Sequence, residues 1–123
     1  MSASRKTKPV VPTPMHKLKA ERVELMLARL PGWQASTDRT ELSREFILPS
    51  QRAAAHFAKM AMEWSVRRRG EPWFSVNQRR FQVRLSTPAV GGLTQADIDF
   101  ARKLSLCVEW MEQEQKVEKA AGR

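Results

Sequence analysis

The stretch of sequence that decides the fold runs from residue 66 to residue 97 and reads VRRRGEPWFSVNQRRFQVRLSTPAVGGLTQAD. It holds two strand-like runs, Trp73 to Asn77 and Arg79 to Ser86. The second run alternates between apolar and polar residues, as expected of a strand that is buried on one face. Its apolar set is Phe81, Val83 and Leu85, and its polar set is Arg80, Gln82 and Arg84. Arg80 and Arg84 are therefore predicted to share the exposed face of a sheet.

Helices are predicted on both sides of this stretch. Residues 51–69 have high helix propensity, Ser50 is placed to cap them, and Gly70 ends the run. The apolar stripe of this helix consists of Ala53, Phe57, Met60, Ala61 and Trp64. Downstream, Thr94 caps another helix with Asp97 three residues on, an aspartate form of the capping box. The residues predicted to be buried there are Ile98, Ala101, Leu104, Val108 and Met111.

A helix and two short strands are predicted before residue 50. The helix lies within residues 14–30, where apolar residues recur at helical spacing, and Pro31-Gly32 stops it. The strands are Trp33 to Ser36 and Glu41 to Leu48. The whole order is helix, two strands, helix, two strands, helix. It predicts an α+β fold in which three helices cover one face of a four-stranded antiparallel sheet.

One charged residue conflicts with the pattern of the second strand. Arg44 falls between Leu42 and Phe46 on the side that is predicted to be buried. A buried guanidinium needs partners, so Arg44 is predicted either to find them or to lie at the rim of the sheet with its stem buried.

Length and composition predict one small domain with polar ends. The chain has 123 residues, of which 41% are hydrophobic, so its core is modest. Residues 1–14 are predicted to form a disordered basic tail, residues 15–112 the domain, and residues 113–123 a polar C-terminal tail. No apolar run approaches the roughly 18 residues of a membrane span, and no apolar signal segment follows the basic start. A cytoplasmic protein is expected.

Cysteine and histidine are too few for two common kinds of site. A single cysteine, Cys107, excludes an intrachain disulfide, and one cysteine with only two histidines is too small a set of ligands for a zinc site of the usual kind. His56 is interpreted as a surface residue and Cys107 as a packed thiol, because neither has a base or a metal-binding set near it in the sequence. No metal or other cofactor is expected.

Basic charge is the strongest functional signal in the composition. Lys and Arg number 22 against 13 Asp and Glu, a formal net charge of +9 that attracts acidic surfaces of any kind. Arg67, Arg68 and Arg69 exceed what a helix end needs, and the face that carries Arg80 and Arg84 could grip carboxylate or phosphate groups. Little aromatic interleaving accompanies them, so a protein partner ranks above nucleic acid.

Four segments of the chain resemble one protein family. They are LPGW at 30–33, LSREF at 42–46, the segment at Pro72, and GGLTQAD at 91–97. Over about residues 18–111 the chain is similar to the pterin-4a-carbinolamine dehydratase family. The resemblance implies the fold of that family, and the glycine pair before the Thr94 helix is its most specific part.

The catalytic pattern of that family is largely absent. It begins with an acid, which is followed after a spacer of three residues by His-His-Pro. A spacer of five residues then leads to Tyr or Trp, a spacer of nine to His or Trp, and a spacer of eight to Asp. Laid on this chain without gaps, its positions fall on Val66, Gly70, Glu71, Pro72, Gln78, Pro88 and Asp97. Pro72 and Asp97 match, and each has a structural explanation, a turn and a helix cap. Dehydration of a carbinolamine needs groups that shuttle protons near neutral pH, and Glu71 would act alone, so no catalytic residue is predicted.

A dehydratase fold that lacks those histidines and carries added basic charge is similar to the dehydratase-like proteins of alpha-carboxysomes, which act as RuBisCO assembly factors. The resemblance implies a non-enzymatic chaperone, a homodimer or a dimer of dimers, that binds the acidic large subunit of RuBisCO and is associated with the carboxysome. A remnant pocket would survive at Gly70, Glu71, Pro72, Gln78, Pro88 and Asp97. Two alternatives stay open: a 4a-hydroxytetrahydrobiopterin dehydratase, and a binding module associated with nucleic acid or a transcription factor.

Overall fold

The computed structural model describes residues 16–66 and 72–122, with side chains as far as residue 114. The basic tail predicted at residues 1–14 lies outside them. In chain order the elements are α1 (Ala20–Leu27), β1 (Gln34–Ala35), β2 (Leu42–Ile47), α2 (Gln51–Val66), β3 (Trp73–Asn77), β4 (Arg80–Leu85), a 3-10 turn (Pro88–Val90) and α3 (Gln95–Gly122). This order confirms the predicted α+β fold.

The four strands form one antiparallel sheet in the order β1-β2-β4-β3. β2 and β4 pair along their whole length, with Phe46 opposite Phe81. β3 pairs with the other side of β4, with Phe74 opposite Val83. Within the described chain, β2 and β4 therefore form the centre of the sheet, and β1 and β3 are its edges.

The inward face of the sheet and the three helices enclose one apolar core. At its centre, the ring centroids of Phe57 and Phe81 lie 4.9 Å apart, and those of Phe46 and Phe57 lie 5.6 Å apart. Both pairs meet edge to face, an arrangement that the ring quadrupoles favour. The helices thus cover one face of the sheet, and the other face is left to the exposed side chains.

The alternation predicted for β4 is confirmed. Its three apolar residues, Phe81, Val83 and Leu85, are buried, and Arg80, Gln82 and Arg84 are exposed. Because a shift of one residue in the pairing would move every side chain of the strand to the opposite face, burial of the apolar set holds the register of this central strand.

The cap predicted at Ser50 is present, and of the capping box predicted at Thr94 the hydrogen bond to the Asp97 carboxylate is present. At the start of α2, Ser50 Oγ accepts a hydrogen bond from the backbone N–H of Ala53 at 3.0 Å. At the start of α3, the Asp97 carboxylate accepts one from the backbone N–H of Thr94 at 3.0 Å. Each bond satisfies a backbone donor that has no partner within its own helix, and a cap of this kind typically stabilises by about 1 kcal/mol.

The buried face of α2 differs from the predicted stripe. Phe57 and Ala61 are buried as expected, but Ala54 and Ala58 complete the buried face. The other predicted members, Ala53, Met60 and Trp64, are half-buried at its border. The helix is thus rotated slightly relative to the prediction, so that alanine methyl groups face the sheet and the longer side chains flank them.

The third helix is longer than the sequence predicts. The sequence predicts a polar C-terminal tail over residues 113–123, but α3 continues to Gly122. Residues 112–120 are mostly Glu, Gln, Lys and Ala, which have high helix propensity. Extending a helix that is already nucleated adds one hydrogen bond for each residue ordered, so a polar segment of this composition can continue it.

Arg44 is held by three contacts at the rim of the core. Its guanidinium donates to the carbonyl oxygen of Pro31 at 3.0 Å and to Ser105 Oγ at 3.1 Å, and it lies 4.2 Å from the centroid of the Phe46 ring. Ser105 Oγ also accepts the indole N–H of Trp33 at 2.8 Å. The predicted need for partners is therefore met, and Ser105 is supplied by α3, far along the chain.

Candidate functional site

Gln78 and Pro88, two positions of the predicted remnant pocket, lie at opposite ends of β4. Gln78 is in the β3–β4 turn with a left-handed backbone, φ 59°, and Pro88 begins the 3-10 turn that follows β4. β4 has six residues, and a strand of that length spans roughly 20 Å. The structure therefore does not bring these two residues into one pocket, because the residues between them form an extended strand that holds them apart.

Asp97 lies near the same end of β4 as Pro88, but in the interior. Its exposed fraction is 0%, and its carboxylate accepts a hydrogen bond from Thr87 Oγ1 at 2.7 Å in addition to that from the Thr94 N–H. Thr87 and Thr94 are also buried, and their hydroxyl oxygens lie 3.1 Å apart. These three residues, the Thr–Asp cluster, join the chain after β4 to the start of α3.

The glycine pair of the intervening loop has a structural use. Gly91 has a left-handed backbone, φ 72°, at the end of the 3-10 turn, and the Thr87 N–H donates to the Gly92 carbonyl at 2.7 Å. A Cβ atom at Gly92 would lie 2.8 Å from the side chain of Lys17. The glycine pair therefore closes a tight turn, and Gly92 also leaves room for Lys17.

The remaining predicted residues lie around the segment between α2 and β3. Pro72 is half-buried directly before β3, and Val66 ends α2 with 82% of its surface exposed. Outside the described residues lie Arg67, Arg68, Arg69, Gly70 and Glu71. The predictions made for those five residues stay predictions.

His56 and Cys107 line one groove between α2 and α3, a proximity that their separation in the sequence concealed. The groove has a volume of about 330 Å³, and Met60 and Trp110 are among its walls. Burial raises the pKa of the Cys107 thiol, and the nearby Lys103 acts in the opposite direction. A thiol that is harder to ionise is a poorer nucleophile, which agrees with the interpretation of Cys107 as a packing residue.

Metal-binding and membrane-spanning features are both missing from the part of the chain that the structure describes. Over residues 16–66 and 72–122, no three His, Cys, Asp or Glu side chains gather as a metal site would require. No helix within those residues combines the length and apolar character needed to cross a membrane.

On the exposed face of the sheet, the Arg84 side chain lies against Trp73. The guanidinium carbon lies 4.2 Å from the centroid of the indole ring. The two residues are directly opposite each other on β4 and β3, and Ser43 and Gln34 continue the same line across β2 and β1. These four residues border a cavity of about 410 Å³. The sequence predicted the position of Arg84 but missed Trp73, since its place beside Arg84 depends on the strand register.

Arg80, the second exposed arginine of β4, has a different environment. Its guanidinium lies 3.4 Å from the Glu45 carboxylate, which also accepts a hydrogen bond from Gln82 at 3.4 Å. Both members of the ion pair are well exposed, so the pair contributes little to stability. Glu45 nevertheless offsets the charge of Arg80, whereas no described residue forms an ion pair with Arg84. Two arginines that look equivalent in the sequence are therefore electrostatically different.

Comparisons of the sequence with known proteins agree on one family. Residues 16–106 match the family profile described as Pterin 4 alpha carbinolamine dehydratase. A protein of Stenotrophomonas maltophilia (strain K279a), named "Putative pterin-4-alpha-carbinolamine dehydratase", is 36% identical over 95 residues, which cover 76% of this chain and 81% of the relative. A protein of Thermomicrobium roseum with the same name is 30% identical over 91 residues, which cover 74% of this chain and 96% of the relative.

A solved structure has the same fold. The crystal structure of a transcriptional coactivator/pterin dehydratase from Brucella melitensis superposes with a TM-score of 0.70 at 26% sequence identity. The match covers 76% of this chain and 99% of the other. The likeness therefore extends over the whole of that protein.

Proposed function

Because the chain belongs to the pterin-4a-carbinolamine dehydratase family, we propose that it is a non-catalytic member whose function is to bind an acidic protein. The proposed partner is the large subunit of RuBisCO, and the proposed role is that of an assembly chaperone of the alpha-carboxysome type. The protein would act as a homodimer or a dimer of dimers and would need no cofactor.

The observation that carries this proposal is that the Asp97 carboxylate is buried and already accepts hydrogen bonds within the domain. Asp97 is the acid that the described residues retain from the family pattern, and it is fully buried while it accepts hydrogen bonds from Thr87 and Thr94. A general acid or base must come within about 2.6–3.2 Å of the proton that it transfers, or reach it through one water. A carboxylate that is closed to solvent and caps a helix is poorly placed to do so.

The other described positions of the pattern supply no substitute for it. Neither the amide of Gln78 nor the ring of Pro88 titrates near neutral pH, and the two residues lie at opposite ends of β4. The histidines His16 and His56 are exposed and fall outside the pattern. Proton transfer near pH 7 would need paired imidazoles. The described positions of the pattern do not provide them, which supports a function in binding.

Charge and the exposed sheet support the binding of an acidic protein. The formal net charge of +9 attracts acidic surfaces, and Arg84 is presented beside an exposed tryptophan. The outer edge of β3 is unpaired within the described chain. An unpaired edge of this kind favours pairing with a second copy, which supports the proposed dimer.

The choice of RuBisCO rests on the resemblance of the whole chain and not on a single contact. Three features support it: a basic start, a Gly70-Glu71 pair at the positions of two histidines, and the retained GGLT segment at residues 91–94. In these three features the chain resembles the dehydratase-like proteins of alpha-carboxysomes, which act on RuBisCO, and this resemblance is the basis of the proposed partner.

Co-expression tests this proposal directly. The RuBisCO subunits are produced with and without this protein, and assembled enzyme is measured by native electrophoresis and by carboxylation activity. We expect more assembled enzyme when the protein is present, together with co-purification of large subunits. The Stenotrophomonas maltophilia relative, expressed at the same level, serves as the control for the fold alone. An unchanged yield combined with no co-purification would reject the chaperone function.

Dehydratase activity is the second candidate, and the names of the relatives favour it. It predicts that the protein forms quinonoid dihydropterin from the 4a-carbinolamine faster than the spontaneous reaction does. It also predicts that Glu71→Gln lowers the rate, because Glu71 would be the acid or base. Stopped-flow absorbance measures both, and a rate equal to the background eliminates this candidate.

A further inference from the structure

The exposed face of the sheet is divided into cross-strand rows of different character. The first, the Trp–Arg row, consists of Trp73, Arg84, Ser43 and Gln34 on β3, β4, β2 and β1. The second consists of Ser75, Gln82 and Glu45, and the third of Asn77, Arg80 and Ile47. Directly paired residues lie on one face about 5 Å apart, so each row is a continuous strip of side chains.

An approaching carboxylate meets different conditions at the two arginines. At Arg80 it would also meet Glu45, whose carboxylate lies 3.4 Å from that guanidinium, and repulsion between like charges would offset the attraction. Glu45 also borders the cavity beside Arg84, but no acid among the residues that the structure describes lies within ion-pair distance of the Arg84 guanidinium. Of these two arginines, Arg84 in the Trp–Arg row therefore complements an acidic group better.

The Trp–Arg row also has the composition of a binding hot spot. Trp73 keeps 44% of its surface exposed, and its ring stacks with the Arg84 guanidinium at 4.2 Å, which limits the rotamer freedom of a long side chain. Tryptophan and arginine are the residue types that most often dominate binding energy in interfaces. The Ser43 hydroxyl and the Gln34 amide can each donate and accept hydrogen bonds at the border of the same cavity.

We propose that the Trp–Arg row is the docking site for an acidic peptide segment of the partner protein, in which a carboxylate pairs with Arg84 and a neighbouring apolar side chain covers Trp73. This inference rests on the proposed binding function, and it selects Arg84 over Arg80 as the arginine that recognises the partner. Because Arg84 is already held by the indole ring, little conformational entropy is lost when the carboxylate binds. Glu45 disfavours a second carboxylate further along the face, so it sets the register of the bound segment.

The test compares matched variants of the full-length protein with two probes. Arg84→Gln and Arg80→Gln remove the same charge from the same strand, and Trp73→Leu removes the ring. One probe is the RuBisCO large subunit, measured by co-purification and by biolayer interferometry. The other is a fluorescein-labelled synthetic peptide of alternating Glu and Leu pairs, measured by fluorescence anisotropy. Peptides with Gln in place of Glu, and a single-stranded DNA oligonucleotide at equal ionic strength, are the controls.

We expect Arg84→Gln and Trp73→Leu each to weaken binding of both probes by about tenfold or more, as loss of a hot-spot residue does, and Arg80→Gln to weaken it less than about threefold. Glu45→Gln should strengthen binding, because it removes the repelling carboxylate. The indole N–H signal of Trp73, identified in NMR spectra by its loss in Trp73→Leu, should shift when the peptide is added.

The outcomes separate this site from the proposed function. The site would be overturned if Arg84→Gln and Arg80→Gln weakened binding equally, or if the oligonucleotide bound more tightly than the peptide. The RuBisCO measurements would then test the proposed partner independently of this site. Peptide binding at the Trp–Arg row without RuBisCO binding would overturn the proposed partner and keep the site. Binding of neither probe would overturn both.

Discussion

Thr87 Oγ1 donates a hydrogen bond to the Asp97 carboxylate at 2.7 Å, and so ties the chain that leaves β4 to the first turn of α3. Ten positions separate the two residues, and both side chains are buried. An acid at a family catalytic position thus has a structural role here. The same bond explains why Asp97 can be kept when its histidine neighbours in the pattern are absent.

Asp97→Ala is expected to destabilise the domain by about 2–4 kcal/mol, because it leaves the Thr87 hydroxyl and the Thr94 N–H without this acceptor in the interior. Urea denaturation followed by circular dichroism measures the change. Asp99→Ala, an exposed position on the same helix, should stay within about 0.5 kcal/mol of the unsubstituted protein. Equal stability of the two variants would contradict the structural role of Asp97.

Gly32→Ala is expected to cost more stability than Gly91→Ala. Both glycines have left-handed backbones, φ 87° and 72°, in which an L side chain costs about 1–2 kcal/mol. A Cβ atom at Gly32 would also lie 2.9 Å from the Arg44 guanidinium, whereas nothing lies within 4 Å at Gly91. The extra cost should shrink when Arg44→Ala is added. Additive free energies of unfolding in this double-mutant cycle would rule out the contact.

Ser105→Ala is expected to destabilise by about 1–3 kcal/mol, because the Trp33 indole N–H and one Arg44 N–H lose their shared acceptor. Thermal denaturation monitored by tryptophan fluorescence reports the loss. Leu106→Ala, at the next position of α3 and 58% exposed, is the control and should change stability by less than about 0.5 kcal/mol. A silent Ser105→Ala substitution would show that these hydrogen bonds contribute nothing net.

The rate at which iodoacetamide alkylates Cys107 should rise with pH, and the midpoint of this rise should lie at a higher pH in the folded protein than in the unfolded chain. Burial raises the pKa of this thiol, so the neutral form is favoured in the folded state. The unfolded thiol ionises first, at about pH 8.5, and the folded state therefore loses stability as the pH rises from there toward the folded pKa. Lys103→Gln should move the midpoint still higher, because Lys103 lowers the pKa. A midpoint at or below that of the unfolded chain would contradict the effect of burial.

Much of the fold was predictable because its signals are local. The bounds of β3 agree with the prediction, and the caps at Ser50 and Thr94 depend on residues only three positions away. The C-terminal end of α3 is not predicted, because the polar composition of residues 113–123 indicates a tail although the same residue types favour a helix. On β4 the pattern correctly predicts that Arg84 and Arg80 are exposed, but it does not distinguish the two arginines. Glu45, which distinguishes them, lies 35 positions before Arg80.

By itself the sequence determined which residues of β4 face the core, where two helices begin, and that the histidines of the family pattern are replaced. Those properties follow from the period of a strand, from the spacing of a cap and from residue identity. Only the tertiary structure decided that Trp73 lies on Arg84, that Ser105 supports Arg44, and that Gln78 and Pro88 are kept apart. The physical reason is that strand register and helix packing bring distant residues into contact, while an extended strand separates residues that are close in the chain.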